Sequence, residues 1–324
     1  MKNNLLLSCA GRRVELLSIW KRTLLEKSPD ATIIAADAQP FAPAFILSPR
    51  QILLPRVDAP TYIDQLLDAC DKNDIRWIVP TIDTELTILS KFKRKFDEIG
   101  TTVFVSDEET IRIAADKRLT HAWFVKNHFP TFEQDTIDNV LNNPDWRYPC
   151  FVKPANGSRS VGAALINSPE DLIARQKKGA TNDVVESLGT GVEVTVDAYV
   201  SLITGKCLCV VPRQRLEVRD GEVSKAKTID APEIIELVKN VAETLPGARG
   251  PLCIQLFWNP QTKDIKLMEI NPRFGGGYPL TDAAGAHFSH ALIDEANGRE
   301  AHIRTDWTRG LVMLRYDQSL FVRG

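Results

Sequence analysis

The residues Ile265-Lys266-Leu267-Met268-Glu269-Ile270-Asn271-Pro272-Arg273 combine types that suit metal-assisted phosphoryl chemistry. Ile265, Leu267, Met268 and Ile270 make an apolar strand, and Pro272 stops its ladder because proline has no N–H to donate. Side chains alternate faces along a strand, so Glu269 and Asn271 point the same way, with Arg273 just beyond the end. One face then presents a carboxylate, an amide oxygen and a cation. Upstream, Leu252 to Trp258 is a second apolar strand with one polar residue, Gln255, and Asn259 to Asp264 is the turn between the two. An antiparallel hairpin sets Gln255 beside Glu269. Oxygen donors of this kind suit Mg2+, a hard ion that keeps waters and shares its shell with phosphates. Arg273 would neutralise a phosphoryl group in transit. The same residues also fit a sheet-edge Glu–Arg pair with the asparagine capping a turn.

A second stretch, Tyr148 to Ile166, delivers Lys153 on an apolar strand, then a loop with Gly157, Ser158, Ser160 and Gly162, then a second strand. Small residues let backbone N–H groups approach an anion closely. The pattern lacks GxxxxGK[ST], so it is a flap-like phosphate cover or an ordinary hairpin, and not a Walker loop. Asp183 to Val200 follows: one strand ends in Glu186, and the next alternates Glu193, Thr195 and Asp197 against Val192, Val194 and Val196. That row of polar groups is either a solvated face or a wall facing ribose and metal. The one local basic cluster is Arg213, Arg215, Arg219, Lys225 and Lys227, broken by the turn Asp220-Gly221. It reads as a solvated hairpin or as a clamp for a substrate carboxylate or phosphate.

The elements that must position these groups begin with an α/β rhythm. Asn4 to Ser8 is a strand, Cys9-Ala10-Gly11 a turn, Arg12 to Glu26 a helix, and Thr32 to Ala36 a strand closed by Asp37. This is a doubly wound start without the full GxGxxG, so a dinucleotide reading rests on Gly11 and Asp37 alone. Arg12 and Arg13 sit at the positive end of their helix, which suggests an anion nearby or salt bridges to acidic neighbours. Asp83 and Glu85 follow the strand Trp77 to Pro80, where open α/β sheets place ligands and where helices favour acids. Thr102 to Ser106 is a further strand, closing a first domain near residue 108. Asp107 to Lys126 reads as one helix containing Lys117, Pro232 to Thr244 as another, and Ala286 to Asn297 as the last.

At 324 residues, 44% apolar and 25% charged, the chain can bury real cores and is not disordered. A net charge of −2 offers no broad basic field for nucleic acid, and no apolar run reaches a membrane span. The six cysteines contain no CxxC, which points to free thiols in a reducing, cytoplasmic setting.

Taken in order, Lys117, the Phe151-Val152-Lys153-Pro154 strand with its glycine loop, Glu186-Ser187-Leu188, Glu193, Gln255 and Met268-Glu269-Ile270-Asn271-Pro272-Arg273 resemble the ATP-grasp superfamily, in its branch similar to the carbamoyl phosphate synthase large chain. The resemblance covers nearly the whole chain. It implies a Rossmann-like pre-ATP-grasp domain (1–108), a small α+β subdomain with the phosphate loop (109–186) and a large α+β subdomain with the metal site (187–324). It also implies ATP and Mg2+, or Mn2+ in its place. Lys117 and Lys153 would meet the phosphates, with the loop from Gly157 to Gly162 closing over them. Glu186 would hold the ribose, backbone near Val184 and Leu188 would meet adenine, and Glu193 would support the nucleotide. Gln255, Glu269 and Asn271 would hold metal, and Arg273 and Lys153 would be the catalytic cations. Arg213, Arg215 and Lys225 are the candidates for acyl-substrate binding. Homodimers are a family expectation. A complete carbamoyl phosphate synthase large chain carries two such units and this chain one, so the expected activity is a carboxylate–amine or carboxylate–thiol ligase. The alternatives are a half-synthase or kinase-like step on bicarbonate or carbamate with a partner subunit, and a non-catalytic ATP-binding module.

Overall fold

The computed structural model describes residues 2–157, 161–179, 182–219 and 221–323. Ser158 and Ser160 of the glycine loop, and Asp220 of the basic hairpin, lie outside the described residues.

The chain begins with strands β1 (Asn4–Ser8), β2 (Ile33–Asp37), β3 (Arg50–Leu53), β4 (Ile75–Pro80) and β5 (Thr102–Val103), and helices α1 (Val14–Lys27), α2 (Pro43–Ile46), α3 (Tyr62–Lys72) and α4 (Asp83–Glu98). The five strands form one parallel sheet in the order β3-β2-β1-β4-β5. Leu5, Leu6 and Leu7 are all fully buried, because helices cover both faces and β1 has no solvent side to alternate toward. The order reverses at β1, so the crevice outside β1 and β4 lies where α/β sheets place ligands. Cys9–Arg13 and Thr81–Asp83 line it. Asp37 does not face that crevice freely: its carboxylate accepts the Gly11 N–H at 2.7 Å and the Gln39 N–H at 2.8 Å, closing the β1–α1 turn. The dinucleotide reading loses its ribose acid to that turn.

The helix expected over Asp107 to Lys126 is two helices, α5 (Glu108–Ala115) and α6 (Lys117–Lys126). Asp116 between them is extended, at φ −131° and ψ 121°, and its side chain caps α6 by accepting the Arg118 N–H at 2.8 Å. Aspartate is a favoured N-cap, so the break was signalled by residue type. It puts Lys117 at the first position of α6. The chain continues through β6 (Gln134–Thr136), α7 (Ile137–Leu141), β7 (Cys150–Pro154), β8 (Ala164–Ile166), α8 (Pro169–Lys177) and β9 (Asp183–Ser187). These four strands form an antiparallel sheet in the order β6-β9-β7-β8.

The third sheet is built from β10 (Val192–Val200), β11 (Cys207–Arg219), β12 (Glu222–Thr228), β13 (Gly250–Trp258), β14 (Ile265–Asn271) and β15 (Val312–Leu314), with helices α9 (Pro232–Thr244), α10 (Tyr278–Ala283) and α11 (Phe288–Ala296). Its order is β14-β13-β10-β11-β12-β15, antiparallel throughout. The basic run is the expected hairpin, formed by the continuation of β11 and its partner β12, and α10 is an element the sequence reading lacked. Val194, Val196 and Ala198 pack under Ile234, Val238 and Val241 of α9, which leaves Glu193, Thr195 and Asp197 on the opposite face. A cluster of aromatic side chains joins this sheet's other side to the first domain: Trp20 meets Phe274 edge-on with centroids at 6.0 Å, and Phe274 meets Tyr278 at 4.6 Å. Burying side chains of this size is worth about 1.5–3 kcal/mol each, so the two domains meet over a packed core. Among the described residues no helix is long and apolar enough to cross a membrane.

Candidate active site

The β13–β14 hairpin forms as its alternation predicted, with one addition. Gln255 of β13 opposes Glu269 of β14, and Cys253 opposes Asn271. Strict period two would turn Ile265 and Leu267 to the same face as Glu269 and Asn271. A bulge prevents this: Leu256 opposes Leu267 while Gln255 opposes Glu269, so Met268 is the extra residue. Ile265, Leu267 and Ile270 therefore all enter the core under α9, and Glu269 and Asn271 turn to the open face. Thr195 of β10 opposes Gln255 from the other side, which completes a row Thr195–Gln255–Glu269 across three strands. The register alone exposed Thr195 as part of this row.

Asn271 Nδ2 donates to Glu269 Oε1 at 3.1 Å, and Arg273 Nη2 donates to Asn271 Oδ1 at 3.1 Å and to Asp83 Oδ2 at 2.7 Å. The arginine that follows the hairpin is thus held by the first domain, 190 residues away in sequence. Burial works against its charge, but Asp83 more than offsets this and raises its pKa. Its buried Nε and the buried Oδ1 of Asp83 have no hydrogen-bond partner among the described residues. Among those residues no group of three His, Cys, Asp or Glu side chains could hold a metal. The donor set at β13–β14 is one carboxylate and two amides, which fits a hard cation that draws its other ligands from water and phosphate.

The small sheet brings the second half. Lys153 Nζ and Glu186 Oε2 form a buried ion pair at 2.7 Å, and Gln134 Nε2 holds the other oxygen of Glu186 at 2.8 Å. Gln134, on the edge strand β6, gave no sequence signal. Lys117 N–H donates to Ala155 O at 2.9 Å and its Nζ to Gly157 O at 2.9 Å, so the start of α6 is fastened to the stem of the glycine loop. Burial lowers the Lys117 pKa; Glu269 is the largest charge acting on it, ahead of Lys153 and Glu186. One lysine therefore feels both the β13–β14 hairpin and the small sheet. Val184 is buried within the ladders to Lys153 and Thr136, so its backbone is committed to the sheet, whereas Leu188 lies past the end of β9 and is 42% exposed. The connection from β9 to β10 runs tightly over β13. Gly191 has φ +93°, and a Cβ there would strike the Trp258 carbonyl.

The three residues expected as an acyl-substrate clamp separate. Arg213 is fully buried and donates to both oxygens of Asp197 at 2.8 and 3.0 Å, and Thr281 adds a bond to Asp197 at 2.5 Å. It is neither solvated nor on a binding surface, because Asp197, Thr281 and the Gly277 backbone close over it on its face of the sheet. Lys225 faces Glu217 at 2.6 Å on the outer hairpin. Arg215 alone stays with the site, paired with Glu193 and donating to Gly221 O at 3.2 Å. Glu85, two residues beyond Asp83, is fully buried and accepts from Tyr62 Oη at 2.5 Å and Ser8 Oγ at 3.0 Å.

Residues 5–104 match the family described as PylC-like, N-terminal domain, and residues 183–318 match the one described as ATP-grasp in the biosynthetic pathway with Ter operon. No curated protein matches the chain. The biotin carboxylase domain of Hydrogenobacter thermophilus 2-oxoglutarate carboxylase, solved with MgADP and bicarbonate, superposes with TM-score 0.75 at 16% identity, over 94% of this chain and 72% of that one. Campylobacter jejuni biotin carboxylase gives 0.76 at 14%, over 95% and 74%. Staphylococcus aureus N5-carboxyaminoimidazole synthetase with ADP gives 0.72 at 16%, over 93% and 78%. At these identities the structural likeness speaks for the fold. By the two family matches, the chain carries a PylC-like N-terminal domain followed by an ATP-grasp domain, and the order of the three sheets agrees with that fold.

Proposed function

We propose that this chain is an ATP- and Mg2+-dependent ligase that activates a carboxylate as an acyl phosphate for attack by an amine or another nucleophile, releasing ADP and phosphate. The observation that carries the reading is the polar row Gln255, Glu269, Asn271 and Arg273 at the end of β13–β14, together with Lys117, which is fastened to the stem of the glycine loop and feels the charge of Glu269. Structures of the same fold that hold MgADP or ADP support a nucleotide there.

In this reading Lys117 and Lys153 neutralise the phosphates, and Glu186 is freed from Lys153 to accept the ribose hydroxyls. Leu188 offers backbone to adenine, and Glu193 supports the nucleotide through its link to Arg215. The loop from Gly157 to Gly162, with Ser158 and Ser160, covers the phosphates. Gln255, Glu269 and Asn271 would hold Mg2+, or Mn2+ in its place, which supplies charge neutralisation on the phosphoryl oxygens. Arg273, held by Asp83, faces the group in transit. A substrate carboxylate oxygen attacks the terminal phosphorus and ADP leaves. The nucleophile then attacks the acyl carbon, phosphate leaves, and an amine gives its proton to water. Such chemistry depends on positioning and charge more than on covalent help, and this residue set supplies both. Bicarbonate is the second candidate for the carboxylate, favoured by that anion in the Hydrogenobacter structure.

The test is phosphorus NMR on the protein with Mg-ATP and pooled carboxylates, bicarbonate and amines, beside Glu269→Ala. ADP and phosphate that appear only with a substrate pair and intact Glu269 are the expected result. AMP and pyrophosphate would replace acyl phosphorylation with adenylation.

A further inference from the structure

Three arginines from distant parts of the chain meet at the junction of the first domain and the large sheet. Arg13 ends the β1–α1 turn, Arg273 follows β14, and Arg315 follows β15. Arg315 Nη2 donates to the Gly276 carbonyl and, at 3.0 Å, to Glu15 Oε2, and its Nη1 donates to Val223 O at 3.2 Å. A Cβ on Gly276 would collide with Glu222 Oε2 and stand 3.2 Å from Arg13 Nη1. The backbone at residue 276 therefore passes close to both side chains. Burial and then the Arg273 charge draw the Arg13 pKa down to about 10; Glu222 opposes this and Arg315 adds to it. Arg12 beside it is exposed and takes no part.

The three guanidiniums are held unequally. Arg273 and Arg315 each make short bonds to a carboxylate and to a backbone or side-chain oxygen. Arg13 donates to Thr81 O over 3.4 Å, with Glu222 alongside. The Nε atoms of Arg273 and Arg315 are buried without a partner among the described residues. Bringing like charges together under partial burial is costly, and fold stability does not require it here, because the aromatic contacts of Trp20, Phe274 and Tyr278 already join the two parts. Arg273 also touches Asn271, so the cluster begins at the reacting end of the site.

We propose that the acid activated here carries a second anionic group, a carboxylate or a phosphate, which Arg13 binds with Arg315 beside it while Arg273 faces the end that reacts. This deepens the ligase reading and rests on it for which end reacts, but the anion pocket is testable by itself. Arginine forks suit both anions.

The experiment compares matched probes by thermal shift and calorimetry at one ionic strength, with and without Mg-ADP: glutarate against butyrate, and phosphoglycolate against glycolate. In each pair only the dianion has the second group. At least one dianion is expected to bind about tenfold or more tightly than its partner, the scale of one charge-assisted contact. The pair that shows the larger gap identifies carboxylate or phosphate. Arg13→Gln is expected to erase the gap and keep Mg-ADP binding, and Arg13→Lys to keep part of the gap. A wild-type chain with no gap in either pair overturns the proposal, as does an Arg13→Gln variant that keeps it. Should Arg13→Gln fail to fold, wild type, Arg13→Lys and Arg315→Gln decide, and a gap unchanged in both variants overturns it. Failure of Mg-ADP to bind wild type, with the dianion gap present, would strike the ligase reading and leave the anion pocket standing.

Discussion

Arg213 and Arg273 make the same chemical pair, a guanidinium on an aspartate at 2.7–2.8 Å, in two settings. Arg213 is 0% exposed, bonds both oxygens of Asp197 on the neighbouring strand, and lies under Gly277, where a Cβ would collide with it. Arg273 is 11% exposed, bonds one oxygen of an aspartate that is 32% exposed and belongs to another domain, and shares its Nη2 with Asn271. In both, burial opposes the charge and the aspartate more than offsets it. What separates the two ion pairs is who owns the partner and whether water can reach it. A closed pair within one sheet can only hold the sheet. An open pair across a domain junction can exchange its carboxylate for a substrate.

The comparison breaks most sharply at Arg273. Arg273→Ala should lower kcat by on the order of 10^3- to 10^5-fold, the range seen for arginines that meet a transferred phosphoryl group, with little change in melting temperature. A comparable loss of stability would make it a structural residue like Arg213. Arg213→Ala should do the opposite: unfolding by denaturant should show a loss of about 3–5 kcal/mol, because Asp197 is left buried and uncompensated, while the folded fraction still binds Mg-ATP. Replacing both members by Met and Leu should return much of that stability.

Asp83→Asn sharpens the contrast from the acid's side. The pair is partly solvated, so stability should change by less than about 1 kcal/mol. A larger loss would mean that the junction depends on this bond rather than on the aromatic contacts. Glu85 gives the smallest effect. Burial raises its pKa, against the hydrogen bonds of Tyr62 and Ser8. A raised acid is more stable protonated in the fold, so its contribution is complete below the ordinary carboxylate range and is lost as pH rises through its native value. Glu85→Gln should therefore flatten the fall of melting temperature with rising pH, and an unchanged slope would refute this origin.

Much of the site was legible because it is local. Gln255 and Glu269 sit on two apolar strands joined by a short turn, and pairing of neighbours follows from pattern. The helix break at Asp116 was legible too, through the cap preference, but the apolar periodicity running across it hid the signal. The Met268 bulge was not: whether Leu267 or Glu269 yields to the alternation depends on which face α9 covers. The basic run Arg213 to Lys227 looked like one surface because charge in a sequence carries no direction; the strand pleat put Lys225 on the other face from Arg213 and Arg215, and the Gly277 backbone covers Arg213 but not Arg215.

The sequence by itself determined the doubly wound start of the chain and the residue types of the donor set, since these follow from periodicity, turn residues and spacing over a few residues, while the rest of the fold class came from the order of its motifs. Tertiary structure alone decided that Arg273 answers to Asp83, that Arg13 and Arg315 come near it, and that Lys117 feels both Glu269 and Lys153. Those contacts link segments far apart in the chain, and burial, charge and domain packing select them together.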